Sequence, residues 1–91
     1  MFIEEPANNR IVVTIHPFML YQKVCVYHNG NCTYTEEVPL LKIEDTIRKL
    51  SQEYLVSEID LAGAKSFTKK IKTNLSDCTQ FNTSIPINIY E

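Results

Sequence analysis

A chain of 91 residues and 10.5 kDa has room for one domain and none for a second independent core. Its 44% hydrophobic and 22% charged residues are those of a globular protein, which excludes a disordered or collagen-like chain. A net charge of −2 excludes a uniformly basic polyanion binder, and no apolar run nears the ~18 residues of a membrane span. Glu4 and Glu5 stand where a secretory leader carries basic residues, so the expected setting is cytoplasmic, with no membrane partner. Ten Ile, seven Asn and seven Lys against two Arg suit an AT-rich coding genome, as in low-GC bacteria and their phages.

Residues 1–9, with Pro6 and two asparagines, read as an N-terminal arm, flexible or carrying a short strand at Phe2 and Ile3. Arg10 to His16 is β-branched and apolar enough for a strand buried on both faces, and Pro17 interrupts it because proline cannot donate to a ladder. A second strand resumes near Met19 or Leu20. In VCVYHNGNCTYTE, Asn29-Gly30 separates two β-rich runs as a two-residue type I′ turn does. That turn pairs His28 with Asn31, Tyr27 with Cys32, Val26 with Thr33 and Cys25 with Tyr34; a three-residue turn changes the pairs. One sheet face then carries Cys25, Tyr27, Cys32 and Tyr34.

Beyond Pro39 the period changes. Ile43, Ile47, Leu50 and Tyr54 fall on one side of a helix over about 41–54, with Glu44/Arg48 and Asp45/Lys49 paired on its solvated side. Leu55 to Leu61 reads as a parallel strand that exits at Gly63. Phe67, Ile71 and Leu75 mark a second helix over about 65–75, residues 76–84 a polar loop, and IPINIYE a final strand, in which Pro86 implies either an edge position or a strand start.

The order is β-β-β-α-β-α-β: a single α/β domain with a mixed sheet of about five strands and two helices packed on one or both faces. Antiparallel strands come first and right-handed crossovers afterwards. This order resembles the ribonuclease H-like fold, in which three antiparallel strands precede alternating helices and parallel strands. The resemblance implies metal-binding acids, of which Asp60 is the one present in a matching place; Arg10 to His16 contains none.

Cys25, Cys32 and Cys78 with His16 and His28 lack the tight C-x₂₋₄-C spacing of a zinc knuckle. Cys25 and Cys32 share a face only diagonally, beyond disulfide reach, so three reduced thiols and no metal are expected. Neither histidine has a nucleophile partner by motif, and no catalytic residue or cofactor is assigned. Three Asn-x-Ser/Thr triplets, at Asn31, Asn74 and Asn82, are frequent by chance in an Asn-rich chain.

The stretch Ile59 to Lys72 carries the strongest binding signal. A strand, the turn at Gly63 and a helix start are followed by lysines, with no acid from Leu61 through Ser76. Gly63, Lys65, Ser66, Lys69, Lys70 and Lys72 form a candidate anion or nucleic-acid site, because helix N-termini attract phosphate and carboxylate. The alternative is a solvated helix face in a Lys-rich protein. Gly63-Ala64-Lys65-Ser66 is not a P-loop, which needs G-x-x-x-x-G-K-[ST]. Glu58 and Asp60 alternate on their strand and project together, as a pair that binds magnesium or manganese does.

The favoured expectation is a small non-enzymatic binding or regulatory module, acting through a protein partner or its own dimer by addition at the C-terminal edge strand. The alternative is nucleic-acid binding through the basic second helix on a catalytically empty ribonuclease H-like scaffold. A metal-dependent nuclease built on Asp60 and Glu58 comes third.

Overall fold

The computed structural model describes residues 9–77 and 85–90. Five strands form one mixed sheet: β1 (Asn9–Ile15), β2 (Tyr21–His28), β3 (Asn31–Pro39), β4 (Val56–Gly63) and β5 (Ile87–Tyr90). A short 3₁₀ turn (Leu40–Lys42) leads into helix α1 (Ile43–Tyr54), and α2 (Lys65–Ser76) follows β4. The spatial order is β3-β2-β1-β4-β5. β1 lies at the centre, antiparallel to β2 and parallel to β4. The single α/β domain, the mixed five-stranded sheet and the element order are those expected from the sequence.

Both helices pack on one face. Ile11, Val13, Ile15, Val24, Val26, Ile59 and Leu61 point into a single core with Ile43, Ile47 and Leu50 of α1 and Ile71 and Leu75 of α2. The helix periodicities follow from this, since each helix has one side to bury. The other sheet face has no covering layer among the described residues, which corrects the expectation that the first strand is buried on both faces. Ile11, Val13 and Ile15 are buried, Val12 and Thr14 half-buried, and Arg10 exposed.

The Asn29-Gly30 turn forms as expected, with φ of 51° and 84° at its two central residues, the backbone that type I′ requires. His28↔Asn31 and Tyr27↔Cys32 are paired, but Val26 faces Tyr34 and Cys25 faces Thr35, so two expected pairs are wrong. The cause is a β-bulge at Thr33, whose hydroxyl bonds the Val26 carbonyl at 3.1 Å. One extra residue turns every later side chain of β3 to the other face. Tyr34 therefore lies on the helix side, its ring centre 5.9 Å from that of Tyr54, and its hydroxyl donates to Glu36. That hydrogen bond raises the Tyr34 pKa above its ordinary value.

Other boundaries move by a residue or two. Leu55 adopts a left-handed backbone (φ 52°) as the C-cap of α1 and so cannot open the next strand, which begins at Val56. Arg48 pairs with Asp45 three residues back, at 2.7 Å, rather than with Glu44. Gly63 ends β4 rather than following it. Of the N-terminal arm and the polar loop, residues 1–8 and 78–84 lie outside the described residues. β5 is at the edge of the described sheet, and Pro86 precedes it.

Candidate functional site

Helix α2 presents the expected lysines. Lys65, Lys69, Lys70 and Lys72 are all exposed, and its first turn has no acid. Ser66 is exposed beside Lys65, and Ala64 occupies the N-cap with no side-chain hydrogen bond. Gly63 serves the fold itself. At φ +105° it brings its backbone against β1, and the amide of Ala64 donates to the carbonyl of Ile15 at 3.3 Å. The six candidate residues thus run from the end of β4 into α2, five of them exposed and Gly63 half-buried against β1.

Glu58 and Asp60 do share the open sheet face, and both face the guanidinium of Arg10. Arg10, on the neighbouring β1, ion-pairs with Glu58 through one terminal nitrogen and with Asp60 at 2.8 Å through the other. The second Asp60 oxygen accepts from Asn88 of β5 at 3.0 Å. The hydrogen bond to Asp60 is the largest influence on the guanidinium and raises its pKa, against desolvation and with Coulombic help from both acids. Arg10, Val12, Tyr27, Gly30 and Asp60 surround a shallow hollow of about 460 Å³. Arg10→Met should lower stability by about 1–3 kcal/mol, because it leaves the largely buried Asp60 beside Glu58 without a counter-charge. Urea titration of Arg10→Met, Asp60→Asn and the double variant checks this: the double variant should cost less than the two single costs added.

Among the described residues the sulfur and imidazole groups do not gather into one cluster. Cys25 is buried and Cys32 exposed as free thiols, the hydroxyl of Thr35 lying 3.1 Å from Cys32 and 3.9 Å from Cys25; Cys78 is outside the described residues. Both ring nitrogens of His28 have partners, Asn9 at 2.8 Å and Asn29 at 3.2 Å. Among the described residues no three His, Cys, Asp or Glu side chains are placed to share a metal ion.

A feature with no motif to announce it lies at the carboxyl ends of the parallel strands. In the β1–β2 loop, Phe18 is 101%, Met19 60% and Leu20 85% exposed, followed by Tyr21 at 54%. Four large apolar side chains in succession face water on a loop that is held from beneath. Gln22, 1% exposed, accepts from the His16 amide at 2.6 Å and donates to the carbonyls of His16 at 2.9 Å and Met19 at 3.0 Å. The Met19 amide also bonds back to His16 at 3.0 Å. A buried carboxamide thus clamps the backbone of the loop while its apolar side chains stand outward. Tyr21 pairs with Pro39, which brings exposed Leu41 to the same end of the molecule. The signal in the sequence is Gln22 itself, the one buried polar residue of β2.

No protein-family model and no curated protein matches the chain. Among the described residues, no helix is long and apolar enough to cross a membrane.

Proposed function

We propose that the chain is a non-enzymatic binding module that engages a protein partner through its β1–β2 loop. The observation that carries this is the exposure of Phe18, Met19 and Leu20 on a backbone fixed by Gln22. Contiguous exposed apolar side chains mark interaction sites, and a preformed loop loses little entropy on binding. This moves the weight away from the C-terminal edge strand, which offers only the four residues of β5. A reducing, cytoplasmic setting suits the two free thiols.

The test replaces Phe18 with a photoreactive phenylalanine analogue and irradiates living cells, with Lys49 on the exposed side of α1 as the control position. A discrete adduct from position 18 and none from 49 is expected; an adduct of twice the chain's own mass identifies a homodimer. Equal labelling from both positions, or none from either, removes the reading.

Nucleic-acid binding through Lys65, Lys69, Lys70 and Lys72 is the second reading, supported by the absence of acids from α2. It carries over a ribonuclease H-like scaffold, supported by the element order and strand directions, whose carboxylates are occupied by Arg10. The same pairing weighs against a metal-dependent nuclease, because a guanidinium sits where the cation would. The net charge of −2 favours the protein partner over the nucleic acid.

A further inference from the structure

We propose that the open face of the sheet holds a second site, for an uncharged planar nitrogen heterocycle of the nucleobase type, free or in a nucleoside. The site is separate from the β1–β2 loop, because the hollow of about 460 Å³ lies toward the other end of β2, by the Asn29-Gly30 turn. That volume falls within the ~300–1,000 Å³ of small-molecule sites. The strand registers explain why the face dips there. Tyr27, Arg10 and Glu58 stand side by side across β2, β1 and β4 as one row of long side chains. The next row is Cys25, Val12 and Asp60, which are shorter, so a depression opens beside Arg10 and Tyr27 with Val12 as its apolar floor.

The lining selects the ligand. Tyr27, half-buried, supplies an aromatic ring on which a flat molecule can stack. Arg10 and Asp60 are held 2.8 Å apart, which sets an N–H donor beside a carboxylate acceptor. A guanidinium has five N–H groups and a carboxylate accepts about four hydrogen bonds, so the bonds these two make with each other, Glu58 and Asn88 leave capacity on both. The complement of such a pair is an N–H beside a ring nitrogen or carbonyl, which is the amide or amidine edge of a base. Charge turns phosphorylated forms away: Arg10 is outnumbered by its two carboxylates, and no lysine lines the hollow among the described residues.

The experiment titrates uridine, cytidine and adenosine, and the corresponding free bases, into the isotope-labelled full chain and follows its amide NMR resonances. Saturable shifts clustered on Arg10, Val12, Tyr27, Gly30 and Asp60 are expected with at least one of them. For the compound that binds, replacing the N–H of its base edge with N-methyl should weaken binding at least about fivefold. Tyr27→Ala should weaken it by a similar factor, and the monophosphate should bind less tightly than the nucleoside. Val12→Phe, which fills the hollow from its floor on the face away from the helices, should abolish the shifts while the spectrum keeps the dispersion of a folded chain. No saturable shifts with any compound, shifts centred on α2 instead, tighter binding of the monophosphate, or indifference to N-methylation would each overturn the proposal. The methylation and phosphate comparisons use the wild-type chain, so they decide the matter even where a variant fails to fold.

Discussion

Gly63→Ala is expected to lower the unfolding free energy by at least about 3 kcal/mol. A Cβ built at Gly63 would stand 2.1 Å from the carbonyl oxygen of Ile15 and 2.9 Å from its carbonyl carbon and its nitrogen. These are backbone atoms at the end of the central strand and cannot swing aside as a side-chain tip would. Ile15 is further held by its ladder to β4 and by the Ala64 amide on that same oxygen. The φ of +105° adds a conformational cost of its own, since L-residues rarely adopt it. Urea unfolding of the purified variant decides the matter: a midpoint shift corresponding to less than about 1 kcal/mol at unchanged slope would mean that the two strands can part without loss.

Gln22→Leu should cost about 2–4 kcal/mol, because three hydrogen bonds of roughly 1 kcal/mol each vanish and the loop backbone beneath the side chain loses its partners. The damage should concentrate in the loop. The amide of His16, which donates to Gln22, should exchange with solvent far faster than that of Val24 in the same variant, and equal acceleration at both would refute the clamp. Gln22→Glu should be worse at neutral pH, since a carboxylate would face the carbonyls of His16 and Met19 without a proton to donate. The fold would favour the protonated acid, so this variant should gain stability as the pH falls, opposite in sign to the loss expected of an ion-paired carboxylate. Both variants should also lose the adduct formed from position 18, although neither touches an exposed side chain of the loop.

The turn at Asn29-Gly30 is legible in the sequence because two adjacent residues that tolerate positive φ carry its whole geometry. The bulge at Thr33 is not, because a threonine in a run of β-formers looks the same paired or unpaired, and only the partner strand distinguishes them. Helix α1 is readable from four residues on one side; its start and its left-handed Leu55 cap are not, since leucine gives no sign of that conformation. The pairing of Arg10 with Glu58 and Asp60 depends on the register of two parallel strands far apart in the chain, which no local pattern encodes. Of the apolar loop only the break at Pro17 is legible: Met19 and Leu20 read as the start of the second strand, which begins at Tyr21, because periodicity says which residues alternate and not which of them meet water.

The central position of β1 has a consequence for how the chain is made. β2 and β3 follow β1 closely and are antiparallel to it and to each other, so a ribosome releases a three-stranded meander early. The other edge of β1 waits for β4, and until the chain through α1 and β4 has been synthesised its amides and carbonyls face outward beside Ile11, Val13 and Ile15 without their helical cover. At ~5–20 residues per second that interval lasts a few seconds, long enough for a chaperone or a neighbouring nascent chain to reach an open strand. Translation speed across α1 therefore sets how long the central strand stays unguarded.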